Sequence, residues 1–285
     1  MNTQLAGTLP AGIPVEERRL ELAGVSTMVL EGGDGPPLVL LHGPGASAAH
    51  WLRVLPDLVA THRVIAPDLP GLGASTVGGT LDPDRVLAWL GELIESTCPS
   101  PPAVVGYALG AAIAARFAAA HGDRIDRLVL VDALGLTALD PAPEFGLALH
   151  GFLAQPSEQT HDELWRHCAR DLAGLRERMD GGWEPFRAAN VALARTPSVQ
   201  VALGALMEQF GGPPIDPAEL ARIAVPTTLI WGRHDLATRL AVAEAASADY
   251  GWPLHVIEDC ADDPPIERPE AFAAALRTAI GTEAA

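Results

Sequence analysis

The stretch that decides the fold is Val104–Ala118, VVGYALGAAIAARFA. A short apolar run reaches Gly106, passes through Tyr107, Ala108 and Leu109 to Gly110, and continues in small and apolar residues to His121. That is the pattern of a buried strand, a sharp turn and a helix. The turn is tight, and glycine on either side gives it room.

Working outward, the same alternation recurs on both sides. Pro37–Leu41 (PLVLL) is a continuous apolar run, as expected of a strand buried on both faces. Arg63–Ala66 and Leu128–Val131 are further strands, and Arg19–Ala23 with Ser26–Glu31 make a hairpin around Gly24. Helices fall at about 50–60 and at Asp82–Glu95, the latter with Asp82 as N-cap and Pro83 in the first turn. Short connections between strand and helix predict an α/β fold, a mostly parallel twisted sheet flanked by helices. The alternation stops near Gly135. From there to Glu219 only helical signals occur, among them Leu164, Cys168, Leu172, Leu175 and Met179 on one apolar stripe. Strands and helices resume at Pro226–Trp231, Leu240–Ala248, Leu254–Ile257 and Pro269–Ile280. The expected organisation is a core of residues 1–134 and 220–285, interrupted by a helical cap at 135–219.

Composition narrows the function. Among 285 residues, 19 are basic and 36 acidic, a net charge of −17. Nucleic acid and anionic membrane surfaces need clustered positive charge, so neither is an expected partner. Every basic residue is Arg, which excludes lysine Schiff-base chemistry and a Walker A loop. Cys98, Cys168 and Cys260 are odd in number and far apart, with no zinc spacing and no disulfide framework. A reduced, cytoplasmic setting is the expectation. The opening MNTQLAGTLPAGIPVEERRL lacks a basic region followed by an apolar run, so no signal peptide is expected. Neither a metal nor a cofactor is expected; the partner is a small-molecule ligand or substrate, and homo-oligomerisation stays open.

Six segments in order carry a family resemblance: LLHG (Leu40–Gly43), APDLPGLGAS (Ala66–Ser75), VVGYALGAAIAARFA, LVLVDALG (Leu128–Gly135), LIWGRHD (Leu229–Asp235) and IERPEAF (Ile266–Phe272). Together they resemble a cap-bearing member of the α/β-hydrolase superfamily, over nearly the whole chain from Arg19 to Ile280. The resemblance implies a G-x-S-x-G elbow carrying a nucleophilic serine, with an acid and a histidine on later loops. Here the elbow is Gly106-Tyr107-Ala108-Leu109-Gly110. Ala108 leaves the nucleophile position vacant, and no covalent intermediate can form there. Asp235 stands at the acid position. Counting back from Glu267 puts Asp262 at the histidine position, with Asp263 as the neighbouring alternative, and no His follows His255. The oxyanion donors would be the amide of Leu109 and that of the residue after His42-Gly43. That residue is Pro44, which has no N–H, so Gly45 would have to move in.

The triad implied by the resemblance is therefore degenerate. One reading is an enzyme in which Asp235 and Asp262 act as general acid and base on a small, mainly apolar substrate, in a lyase, isomerase, cyclase or hydratase reaction. A second is a catalytically inactive ligand-binding protein. A third is a hydrolase whose nucleophile has been mutated to Ala108, which leaves Asp262 and Pro44 unexplained. Tyr107 and His234 are weaker candidates: Tyr107 suits packing beneath the turn, and His234 suits an exposed loop. His150, Phe145, Phe152, Trp165 and Phe186 lie on the cap, as pocket lining or as its core.

Overall fold

The computed structural model describes residues 13–281. Residues 1–12, which hold most of the stretch read for a signal peptide, lie outside the described residues. Strand β1 (Val15–Leu22) turns into β2 (Val25–Gly32) through Ala23 and Gly24, at φ 47° and 73°. Two positive φ values give the two-residue turn whose twist suits a hairpin. Then follow β3 (Pro37–Leu41), a 3₁₀ turn at Ala48–Trp51, α1 (Leu55–Val59), β4 (Arg63–Pro67), β5 (Thr76–Val77), α2 (Pro83–Thr97), β6 (Ala103–Tyr107), α3 (Leu109–His121) and β7 (Arg127–Val131). The sheet runs β1-β2-β4-β3-β6-β7, and β5 pairs with β2. It continues into β8 (Thr227–Gly232) and β9 (Leu254–Ile257), parallel to β7. Every residue of β3 and of β8 is buried; β3 is an unbroken apolar run, and β8 buries Thr227 and Thr228 along with its apolar Leu229–Trp231.

α3 is apolar nearly all round because it packs under the sheet centre, against β3, β6 and β7. Its alanines allow close approach. Between β7 and β8 the chain is helical: α4 (Pro143–Ala154), α5 (Glu158–Cys168), α6 (Leu172–Arg178), α7 (Trp183–Ala194), α8 (Pro197–Leu206), a π turn at Met207–Gly211, and α9 (Pro217–Leu220). After β8 come α10 (Leu240–Tyr250), α11 (Pro264–Glu267) and α12 (Pro269–Ile280). The inserted helices have a core of their own, built on Phe145, Phe152, Trp165, Leu175 and Trp183, with Ile266 reaching in from α11.

Two local expectations change. The helix expected at about 50–60 is a 3₁₀ turn followed by the five-residue α1. The Asp68 carboxylate holds the Ala48 N–H at 2.6 Å and fixes the turn, and Pro56 starts a new helix. The stripe from Leu164 to Met179 is shared between α5 and α6. The Asp171 side chain accepts the Gly174 N–H at 3.0 Å and caps α6 afresh.

Candidate active site

The elbow has the shape that a nucleophile needs and no atom to use it. Ala108 sits at φ 46° and ψ −104°, a conformation that costs a non-glycine residue on the order of 1–3 kcal/mol. Its N–H donates to Val131 O at 2.9 Å, and its carbonyl accepts from Ala112 and Leu134 at 3.1 and 3.2 Å. The flanking glycines are sterically compulsory. A Cβ on Gly106 would overlap the Ala111 backbone, and one on Gly110 would overlap the Leu41 carbonyl. Leu109 is the first residue of α3, so its amide is a free helix-terminal donor by position. Across from it, a Cβ on Gly43 would meet the Tyr107 ring. Pro44 is exposed, and Gly45 is held at φ 68°.

Carboxyl groups crowd the ends of β7, β8 and β9. Asp235 is buried. Its Oδ1 accepts the Ala237 and Thr238 amides at 2.7 and 2.9 Å, and its Oδ2 accepts the Thr238 hydroxyl at 2.5 Å. Burial lifts its pKa to about 6, with the Thr238 hydroxyl bond pulling against the rise. Asp132, directly after β7, is 1% exposed, and its Oδ1 accepts the Gly232 amide at 2.9 Å. Burial, then the charge of Asp235, hold the Asp132 carboxyl well above the usual range. Asp262 is half-buried, and its N–H donates to Cys168 O at 3.1 Å. Burial, then the charges of Asp235 and Asp263, push its carboxyl well up, while a hydrogen bond with the Cys168 thiol opposes the rise.

The two expected partners thus meet differently than anticipated. Asp235 and Asp262 interact through charge, and the nearby Asp132 likewise feels Asp235 as a charge, its Oδ2 having no hydrogen-bond partner among the described residues. The reason is that Asp235 already has its oxygens turned toward Ala237 and Thr238. Sequence reading did not single out Asp132, whose one signal is an acid at the end of the strand run LVLVD. Asp263 is 4% exposed and caps α11, accepting the Ile266 N–H at 3.3 Å. Glu267 is 1% exposed and accepts the Ala261 and Arg170 amides, each at 2.7 Å.

Tyr107 is buried, with its hydroxyl pKa driven well up by burial and by the Asp262 charge. His234 does not join the cluster: its side chain is exposed, and its amide donates to Cys260 O at 2.9 Å. The β8–α10 loop turns Asp235 inward and so turns its neighbour outward. His150 is likewise exposed, while Phe145, Phe152 and Trp165 are buried in the core of the inserted helices. His42 is structural. Its Nε2 accepts the Leu69 N–H and its Nδ1 bonds to Gly43 O, at 2.9 and 2.8 Å, and burial lowers its pKa to about 4. The residue missed by sequence reasoning is His50, buried against Tyr107 and Asp263. Its place in a short apolar turn gave no signal.

A cleft of about 260 Å³ lies between Ala133–Asp140 and Ala237–Val242, with Thr238 in its wall. Another, of about 240 Å³, lies between α4 and α5. Neither is lined by Ala108, and Tyr107 and Ala108 are each 6% exposed. The Leu203 side chain of α8 comes to 3.9 Å of a Cβ placed on Gly45. Among the described residues, no group of three or more His, Cys, Asp or Glu side chains could hold a metal ion, and no helix is long and apolar enough to cross a membrane.

A parallel sheet with a strained elbow at its centre and inserted helices over it defines a class, and the comparisons give the family. The chain belongs to the alpha/beta hydrolase family, whose model matches residues 38–275. It is 29% identical over 270 residues to the pimeloyl-[acyl-carrier protein] methyl ester esterase of Aeromonas hydrophila, covering 90% of this chain and 100% of that one. It is 32% identical over 254 residues to the magnesium-chelatase 30 kDa subunit of Rhodobacter capsulatus, covering 84% and 86%. The structure of a Rhodococcus 2-hydroxy-6-oxo-6-phenylhexa-2,4-dienoate hydrolase superposes with a TM-score of 0.82 at 25% identity, over 94% of this chain and 99% of that one.

Proposed function

We propose that this α/β-hydrolase family member is a cofactor-independent acid/base enzyme that acts on a small, mainly apolar molecule by proton transfer. The reaction type is that of a lyase, isomerase, cyclase or hydratase, with no serine acyl-enzyme. The observation that carries the reading is the set of carboxyls around Asp235, in particular Asp262 where the family places a histidine. Burial and the charges of Asp235 and Asp263 raise the proton affinity of Asp262, which suits it to act as general acid. Asp235, with a pKa of about 6, is largely ionised at neutral pH and acts as base. Two carboxyls with unlike proton affinities divide the two roles between them. Residues 1–134 and 220–285 form the core and 135–219 the cap over this site. The dienoate that names the Rhodococcus relative carries a hydroxyl on a double bond and a ketone, groups that interconvert by proton transfer. A small enolisable ketone is therefore a fair probe.

The test is deuterium exchange into phenylacetone beside its carbonyl, followed by NMR. The native chain should exceed the buffer rate, and Asp262→Asn should lose about 10²–10⁴-fold of that excess. The exposed neighbour Asp259 gives the control, Asp259→Asn, which should keep it. Exchange at the buffer rate in the native chain would sink the acid/base reading. A second reading, a ligand-binding member without turnover, is favoured by the absence of any nucleophilic atom on Ala108 at the elbow. It predicts ketone binding with no exchange.

A further inference from the structure

His50 takes no part in the acid/base reading, yet the fold spends a buried imidazole on it. It lies in the 3₁₀ turn between β3 and α1, beneath the elbow. Its ring stacks on Tyr107 at a centroid distance of 4.8 Å and an angle of 12°, and meets Trp51 edge-on at 5.2 Å. Its Nε2 is 3.3 Å from Asp263 Oδ1, with side-chain exposures of 4% and 6%. Among the described residues, Nε2 makes no hydrogen bond as an N–H donor, and Asp263 Oδ1 is the polar atom that faces it. Asp263 directly follows Asp262 in the loop that has lost the family's histidine. So an imidazole still faces this loop, but from the opposite side and toward the neighbouring acid.

The other groups around the pair are few. From β3 comes His42, whose two nitrogens are already bonded. From β6 comes the Tyr107 ring. The loop and α11 contribute Asp262 and Glu267, and the end of α5 contributes Cys168. Arg53 donates to the Ile266 carbonyl, and its charge favours the ionised Asp263. In so enclosed a place an uncompensated charge is costly. One proton between the two side chains leaves the pair neutral in sum. A second proton, or none, leaves a buried net charge.

We propose that His50 is a positioning residue for this site: it shares one proton with Asp263, and so gives Asp262 a neutral neighbour in place of a second carboxylate. The proposal rests on Asp262 as the proton-transfer group. Asp262 already feels the charge of Asp235. An ionised Asp263 beside it would add a second repulsion and move its proton affinity further from neutral pH. The pair removes that repulsion without removing the acid that starts α11.

The test is a carboxyl-carbon NMR titration of the full chain, with Asp262 assigned through Asp262→Asn. His50→Gln can still donate to Asp263 but cannot take up its proton. Asp263 then ionises at lower pH, and the Asp262 midpoint should rise by at least about half a pH unit. Asp263→Asn, like the native pair, gives Asp262 a neutral neighbour, and the midpoint should stay within about 0.2 pH unit of the native one. Both variants break the same contact, so a role in packing alone predicts the same shift in both or none in either, and that result would overturn the proposal. A second measurement needs no variant of the pair. The native chain should show a far-downfield exchangeable proton coupled to an imidazole nitrogen, retained in His161→Gln. Its absence would also overturn the proposal. If the midpoint rises in His50→Gln alone while Asp262→Asn leaves ketone exchange unchanged, the acid/base reading fails and the His50–Asp263 coupling stands.

Discussion

The elbow at Gly106–Gly110 and the loop at Cys260–Glu267 are held in place in opposite ways. At the elbow the backbone sets the geometry whatever the side chain: Ala108 occupies φ 46°, and both glycines press on backbone. In the loop the acidic side chains themselves make the local bonds. Asp262 is tied to Cys168, Asp263 to Ile266, and Glu267 to Ala261 and Arg170. The difference teaches where each constraint comes from. The elbow is shaped by strand β6 meeting helix α3, and the sheet demands that junction whatever side chain sits on it. The loop carries no such demand, so its acidic residues need a local account.

Four changes would break or sharpen this contrast. The largest effect belongs to the junction. Gly110→Ala places a methyl against the Leu41 carbonyl, and neither backbone can retreat. A loss of about 3–5 kcal/mol is expected in urea unfolding, or failure to fold. Next is the acidic loop and its neighbours. Asp132, Asp262 and Asp263 have folded pKa values raised well above their unfolded ones. Their stabilisation is complete below the unfolded pKa and is lost as pH rises through the folded values. The buried histidines act oppositely: His42, His50 and His161 are lowered to about 4, 3 and 4, so their contribution is complete above the unfolded value near 6.5. Above pH ~6.5 only the carboxyl trend remains. Stability should therefore decline on the alkaline side, with a slope of up to about 1.4 kcal/mol per pH unit for each such group. Asp132→Asn should flatten that slope in denaturant unfolding repeated across pH; an unchanged slope would clear Asp132.

A smaller effect is expected at the elbow residue. Ala108→Gly relieves the positive φ but loosens the unfolded chain, and a net gain of about 1 kcal/mol is expected by thermal unfolding. The smallest is Ala108→Ser. It restores a hydroxyl and no base, so p-nitrophenyl acetate hydrolysis should stay at the background rate. Strong hydrolysis would instead favour a hydrolase whose nucleophile was replaced.

Much of the fold was legible because it depends on local periodicity. Pro37–Leu41, Ala103–Val105 and Pro226–Trp231 read as strands, and β3, β6 and β8 lie there, β6 running two residues further into the elbow. The breaks in the inserted helices were harder. Asp171 stops one apolar stripe and caps the next helix, and its role depends on one side-chain bond to Gly174. In the site, Ala108 and Asp262 could be placed by counting from glycines and from Glu267. His50 could not, since nothing in AAHW says that its ring lies on Tyr107, 57 positions onward. Asp132 closes LVLVD and is turned inward at φ 41°, which only the folded backbone reveals.

One junction between the layers has a kinetic consequence. The end of α5 is sewn to the loop after β9 by two hydrogen bonds: the Asp262 amide donates to the Cys168 carbonyl, and the Arg170 amide to the Glu267 carboxylate. The Glu267 side chain is buried and also holds the Ala261 amide, so it is not free to swing away, and both bonds must part at once for the insertion to lift there. Breathing at this seam is then a cooperative opening rather than a rotamer flip. The amide hydrogens of Arg170 and Asp262 should trade with solvent at a common rate, and whatever the site holds would leave on that clock.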